Sequence, residues 1–473
     1  MFTRHRLSVM VAAGCAALLT ACSGGGSAAA PSTTSTTSTT STSETAAATS
    51  AATSTGETSA AGSSSSNDQG SPAAVSGSSG TPSSTPAGPV IQLSMLTGFT
   101  GPDKPAYDAL IEEFNKTHPT IKVSMDVQPW DTIGQKLPAA WATGQTPDLA
   151  TPNFDPGIIF RYTKTKSALS LDDAVGTGQD KIDSSTWPAS VKSAFTVNGQ
   201  LYAVPANLAT LVLYYNKDMF AKAGITAAPT TQDEFVADTK KLTGNGVYGI
   251  SLADHATIQM WPILQWMNGG NVIDNKGCGV NAQDKSVQAL QTWSKLVTQN
   301  KISPVGQTGG DADTLFSAQK AAMEINGPWA AAGFKKAGIN LGIAQVPVGP
   351  GGPVTLASTV PLMISKNTQH AAEAKTFLAW WTSKPAQQIF SQQSGFPPVR
   401  TDMADAVASN PTVKVFADAL PHGRLYLAGQ EKSAQIDSDA YVPMIGKITR
   451  GEDVVAAAKA ADEAINGITG CSP

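Results

Sequence analysis

Residues 320–329 read KAAMEINGPW. The stretch opens as a helix or a buried segment and breaks at Asn326-Gly327-Pro328. It ends on Trp329, a large aromatic just past a rigid turn. Gly and Pro punctuate a chain and do not fill cores. A stiff corner carrying an indole has two readings. Either Trp329 caps a hydrophobic core, or the corner aims the ring at something that is not protein.

Working outward, the sequence alternates strand and helix patterns. Ile91, Leu93 and Met95 alternate with Gln92 and Ser94, a strand signal. The glycine-rich Thr97-Gly98-Phe99-Thr100-Gly101-Pro102 follows. Tyr107, Leu110, Ile111 and Phe114 then recur at helical spacing up to Thr117-His118-Pro119. Strand patterns recur at 121–127, 147–151, 211–217, 341–348 and 360–365. Helical patterns recur at 131–143, 233–242, 287–297, 371–395 (split at Pro385) and 454–465. This strand–helix rhythm predicts an α/β protein with mixed or parallel sheets.

The ends of the chain carry different signals. Arg4 and Arg6 precede an uncharged run from Leu7 to Leu19, the pattern of a secretory signal over residues 1–21. The run is too short to span a bilayer comfortably. It ends in Leu19-Thr20-Ala21-Cys22, similar to a bacterial lipobox, in which the cysteine is acylated. Two or more acyl chains anchor a protein without a membrane span. Residues 23–89 contain no aromatic residue and no Leu, Ile or Met. Such a segment cannot bury enough apolar surface to offset its ordering entropy, so 22–89 reads as a disordered Ser/Thr/Ala-rich tether. The predicted place is therefore extracytoplasmic, lipid-anchored through Cys22 at the outer face of the cell membrane.

The whole chain has 32 Lys+Arg against 36 Asp+Glu, a net charge of −4. Without Arg4 and Arg6 it is more acidic still. No basic stripe appears, which argues against a nucleic-acid partner. Beyond Cys15 and Cys22 only Cys278 and Cys471 remain, and outside the cytoplasm they are expected to pair. The five histidines, at 5, 118, 255, 370 and 422, show no metal-ligand spacing. No phosphate-cradling glycine loop is present, and no cofactor or metal is expected. Ser317-Ala318-Gln319-Lys320 fits a serine–lysine acylation pattern, but the partner motifs are missing.

Several stretches together resemble one family, the extracellular solute-binding proteins of bacterial ABC importers, the group containing the maltose-binding protein. They are LIEEFNKTHPTIKV, LPAAWATGQTPDLA, LYAVPANLATLVLYYNKDMFAKAGI, WPILQWMNGG, FSAQKAAMEINGPW and AKTFLAWWTSKPAQQIFSQQSGFPPVR. The resemblance covers nearly all of 91–467. It implies the two-lobe periplasmic-binding-protein fold (type II), each lobe a mixed sheet flanked by helices, the two joined by a hinge. The implied lobes are discontinuous: lobe 1 from 90–206 and 358–418, lobe 2 from 207–357 and 419–473. The chain would cross near Asn207–Leu211, Ala357–Thr359 and Ala419–Asp437.

The resemblance also implies a monomeric, non-catalytic receptor. It would capture an oligosaccharide or glycoside between the lobes and pass it to permease subunits. In the family the tryptophan of the NGPW corner stacks on a sugar ring, which places Trp329 in the cleft. The other implied ligand-binding residues are Phe99, Thr100, Trp130, Asp155, Asn207, Trp261, Trp266, Gly395, Phe396, Arg424 and Tyr426. One of Trp261 and Trp266 is expected to be core instead. Trp130 stands where related glycerophosphodiester binders have a phosphate-holding tyrosine. An indole offers stacking but no acceptor. Arg424 and Tyr426 resemble a segment of those same binders, so a glycerophosphodiester or glycerol-phosphate ligand is the alternative. A cell-wall-associated hydrolase is a further one.

Overall fold

The computed structural model describes residues 89–472, apart from 154, 156, 258 and 259. The expected signal peptide, Cys22 and all but the end of the tether lie outside the described residues. Among those described, no helix is long and apolar enough to cross a membrane.

Apart from a short hairpin at 196–201, the strands in chain order are β1 (Ile91–Thr97), β2 (Ile121–Val127), β3 (Leu149–Ala150), β4 (Ala203–Pro205), β5 (Ala209–Thr210), β6 (Val212–Asn216), β7 (Met323–Asn326), β8 (Leu341–Ala344), β9 (Thr355–Ser358), β10 (Pro361–Ile364) and β11 (Gly423–Leu425). They form three sheets. The first runs β2-β1-β3-β10-β4, with β1 parallel to β2 and β3, and β10 antiparallel to β3 and β4. In β1, Leu93, Met95 and Thr97 bury one face. The helix Lys104–Thr117 covers that sheet with Tyr107, Leu110 and Phe114, each fully buried. The second sheet, β8-β6-β7, is antiparallel.

Two large cores follow from these sheets. One gathers side chains from 93–209 and 360–399. The other gathers 211–356 with 427–468. The helix Pro411–Ala419 was expected in lobe 1, yet Phe416 and Ala419 pack with Val212, Tyr214 and Phe334 of the second sheet's surroundings. Thr210 Oγ1 also donates to the Phe416 carbonyl at 2.8 Å. Phe416 and Ala419 of this helix thus pack beside the second sheet and are not part of the first core. Two smaller differences are local. The run before the 326–328 corner is a fully buried strand, β7. The strand expected over 341–348 stops at Ala344, short of Pro347, which could not donate to a ladder.

The third sheet, β11-β9-β5, lies where the chain passes between the cores. Asn207 fixes its edge. Its Nδ2 donates to Tyr107 Oη at 2.8 Å, and its Oδ1 accepts from Val360 N at 3.1 Å. Its carbonyl accepts from Thr359 Oγ1 at 2.7 Å. Trp381 Nε1 reaches the neighbouring Ala206 carbonyl at 3.0 Å. Within lobe 2, Cys278 and Cys471 are bonded, with Cα atoms 5.3 Å apart. Asp462 reinforces that tie by accepting from the N–H groups of Asn281 and Ala282, both at 2.8 Å.

Asn207→Ala would leave a buried tyrosine hydroxyl and a buried N–H without these partners. The expected cost is about 1–3 kcal/mol of stability, read as a lower midpoint with unchanged slope in urea unfolding. A midpoint equal to the parent's would mean that the crossing segments do not depend on this side chain.

Candidate functional site

Three adjoining cavities open between the two cores. They share walls at Thr257, Ser358 and Trp329. The central one, about 260 Å³, is lined by Gly98, Phe99, Thr100, Asp103, Trp130, Asn207, Trp329, Val360 and Phe396, among others. A larger one, about 520 Å³, holds Asp131, Asn153, Asp155, His255, Tyr426, Ser433 and Asp437. The smallest, about 210 Å³, runs past Trp329 to Asp313, Glu324 and Asn326. A cavity of about 530 Å³ elsewhere, by Asp108, Asn115 and Lys122, is an open groove on the outside of lobe 1 and has no aromatic wall.

The local sequence explains how the two indoles are held. β7 ends at Asn326, Gly327 is extended, and Pro328 begins the helix Pro328–Lys336. Proline suits a first helical turn because its missing N–H has no partner to lose there. Asn326 Oδ1 accepts from Gly327 N at 2.8 Å, and Tyr214 Oη donates to the Gly327 carbonyl at 2.8 Å. The Trp329 ring lies so close over Gly327 that a Cβ there would overlap it. Trp130, at the start of the helix Trp130–Ala142, lies over Gly98 in the same way. Phe99 props Trp130 edge-on at 5.9 Å and stacks on Tyr107 at 3.7 Å. Both tryptophans are half-buried, and Trp329 touches all three hydrophobic clusters of the fold.

Carboxyls stand among the polar groups that line the cleft. Burial pushes Asp103 up to about 6. Asp155 is raised by burial, against hydrogen bonds from Ser433 and Gly157. Asp437 is pushed up to about 6 by burial, with the charge of Asp155 adding to it, while Tyr426 Oη donates to it at 2.7 Å. No lysine or arginine is among the described residues lining the three cavities. The loop carrying His255 and Thr257 turns at Ala256, whose φ of 58° is left-handed.

One edge of the cleft is bridged. Ser433 Oγ donates to Asp155 Oδ1 at 2.6 Å, and Lys164 pairs with Glu431 at 2.6 Å. Gly157 sits so close to Ser433 and the Gln430 carbonyl that a Cβ would overlap both.

Of the residues expected to bind ligand, Phe99, Thr100, Trp130, Asn207, Trp329 and Phe396 line the central cavity, and Asp155 and Tyr426 the larger one. Four do not line the cleft cavities. Trp261 is fully buried, its Nε1 donating to the Ala253 carbonyl at 2.9 Å, so it is core. Trp266 is also buried, bonded to Asn271 Oδ1 at 2.8 Å, and Arg424 lies over its ring at 5.7 Å. Gly395 terminates the helix Lys384–Ser394 at a φ of +81° and acts there as a cap. Asn207 reaches the cavity wall, but its side chain is spent on Tyr107 and Val360. Asp103, Thr257, Ser433, Asp437, Asp313 and Glu324 were not anticipated from the sequence. Glu324 lies within the quoted stretch, three residues before Gly327, and a charge inside a buried run was the available signal.

The family described as bacterial extracellular solute-binding protein matches residues 100–388. A maltooligosaccharide ABC transporter solute-binding lipoprotein of Streptococcus pneumoniae is 25% identical over 321 residues, covering 63% of this chain and 70% of that protein. The GacH receptor of Streptomyces glaucescens, solved unliganded and with acarbose, superposes with a TM-score of 0.72 at 22% identity, covering 81% of this chain and 100% of that one. UgpB from Mycobacterium tuberculosis, solved with glycerophosphocholine, gives 0.71 at 24% identity, with coverages of 81% and 98%. These likenesses extend the two-lobe α/β fold to this chain.

The Asp437 carboxyl gives a pH prediction. In the folded protein its pKa is above the ordinary carboxylate value, so between about pH 4 and 6 the folded state holds a proton that the unfolded chain has lost. Its contribution to stability is therefore full below that window and is lost as pH rises through it. Asp437→Asn, which keeps the acceptor for Tyr426, should raise Tm at neutral pH, and the gain should vanish near pH 4. A gain that is equal at both pH values would contradict this account of Asp437.

Proposed function

The chain belongs to the bacterial extracellular solute-binding protein family, and from that premise we propose that it is the non-catalytic receptor of an ABC importer for a carbohydrate. It captures an oligosaccharide or glycoside between its lobes, delivers it to a membrane permease, works as a monomer, and is held at the outer face of the membrane by lipid on Cys22.

One observation carries the ligand class. Two indoles, each laid over a glycine, face a cavity with carboxyls around it and no lysine or arginine among the described lining residues. A sugar ring offers an apolar C–H face and a rim of hydroxyl donors. Flat aromatic rings cover the face, and carboxylates accept from the rim. A phosphodiester needs the opposite electrostatics, ordinarily arginine or lysine. Arg424, the residue that suggested that alternative, is exposed over Trp266. UgpB nevertheless makes glycerophosphodiesters the proper second arm of any screen. Hydrolysis, the remaining alternative, would appear as product when the protein is incubated with glycans.

A thermal-shift screen across oligosaccharides and phosphodiesters tests the reading, because a ligand selective for the folded state raises Tm. Shifts confined to phosphodiesters, or none with any carbohydrate, would sink it. Within that screen, Trp329→Ala should cost about 2–4 kcal/mol of binding, roughly thirty- to thousandfold in affinity. If the ring only caps a core, the same change should instead lower stability by about 3–5 kcal/mol and leave the affinity of the folded fraction intact.

The bridged edge gives a second variant. Gly157 has φ −72°, a backbone that alanine adopts freely, so Gly157→Ala meets trouble only across the cleft. Small-angle scattering should report a more open molecule, with ligand affinity down about tenfold or more. Parental scattering and affinity would show that this edge closes without contact at Gly157.

A further inference from the structure

The narrow end of the cleft joins Trp329 to two carboxyl groups. Glu324 stands on β7 and is only 1% exposed. Its Oε1 accepts from Asn326 Nδ2 at 2.9 Å, and its carboxyl lies within hydrogen-bond reach of the Asp313 carboxyl. Asp313, on the helix Gly309–Ser317, accepts from the same amide at 2.7 Å. Both residues form part of the wall of the 210 Å³ cavity, and no lysine or arginine is among the described residues of that wall. Burial drives Glu324 well above the usual carboxylate range, and the neighbouring Asp313 drives it further. Asp313 is raised by burial as well. A hydrogen bond joins the two carboxyls, and it needs a proton between them, which burial favours. Two carboxyls buried together cost stability, and apolar or amide side chains of the same size would relieve that cost. An entering cation offsets it.

We propose that this end of the cleft is a subsite for a protonated amino group, so that the carbohydrate captured is one bearing a free amine. The inference rests on the carbohydrate reading above and narrows it. Trp329 walls both the central and the narrow cavity, so a sugar ring on its face sets a substituent toward Glu324 and Asp313. The ammonium donates to the Glu324 and Asp313 carboxyls in place of the proton between them. The shared proton is displaced to solvent, leaving two carboxylates against one ammonium. A neutral hydroxyl could donate to one oxygen but would not displace the proton.

Calorimetric titration of the mature chain tests this with matched pairs. Each pair is an oligosaccharide and its counterpart with one ring hydroxyl replaced by a free amine, sampled over the ring positions. In at least one pair the amine is expected to bind about 10- to 100-fold tighter, the difference made by a charged hydrogen bond. Its binding heat should vary with the buffer's ionisation heat, reporting release of up to about one proton. Its affinity should rise from mildly acidic to neutral pH. Glu324→Gln should abolish both the preference and the proton release, with a Tm equal to or above the parent's. The proposal is overturned if oligosaccharides bind and no amine is preferred. It is also overturned if an amine is preferred without proton release and equally so in Glu324→Gln. If no member of any pair raises Tm, the carbohydrate reading itself fails and takes this inference with it.

Discussion

Everything in the cleft depends on how the backbone passes between two cores. A chain that crosses there must satisfy its N–H and C=O groups away from bulk water. The third sheet does this by pairing β5 with β9 and β9 with β11. Leu211 N donates to the Leu356 carbonyl at 2.9 Å, and Thr355 Oγ1 to the Leu211 carbonyl at 2.5 Å. With these groups paired, the lobes are registered to one another without sharing a common core. Asn207 adds the lateral tie to Tyr107 in lobe 1. Such a junction suits hinge motion, in which a few residues at element ends absorb the dihedral change.

On that registered frame, glycine decides where the aromatic platforms lie. An indole held against a backbone that lacks Cβ loses little freedom when a ligand arrives, because its pose is already fixed. Gly98 belongs to lobe 1, and Gly327 follows a strand of the second sheet, so each lobe brings one platform. The carboxyls between them are raised by burial and not by structural ion pairs. This distinguishes the cleft from the outer surface, where Asp402 is held down to about 2 by Arg400.

The legible parts of the sequence were those with a period. Leu93, Met95 and Thr97 on one face of β1, and Tyr107, Leu110 and Phe114 on the following helix, repeat at intervals that only one conformation can bury. The corner at 326–328 was legible through its stereochemistry. Other features had no such signature. All eight residues of the helix Met260–Met267 are buried, and a helix buried all round has no face that tells Trp261 from Trp266. The helix Pro411–Ala419 has one apolar face and could have covered either lobe. Ser433 and Asp437 lie one turn apart on a helical segment, but Asp155 reaches them from a loop of the other lobe, and neither spacing nor composition records that meeting. The Asp313–Glu324 pair is of the same kind, joined only by the packing of a helix on β7.

The order of strands in the first sheet has a consequence for synthesis. β4 enters that sheet only beside β10, and β10 is read out after most of lobe 2. While the chain emerges from its N-terminus, β4 has no neighbour to pair with, and β3 presents an open edge. Local strand pairing can begin at β1 and β2, but the sheet cannot close until the return passage is delivered. Long-range closure of this kind slows folding because the intervening loop must first be ordered. A nascent chain of this architecture thus cannot complete its first sheet until about three quarters of it has been made, a built-in delay written in the connectivity and not in any single residue.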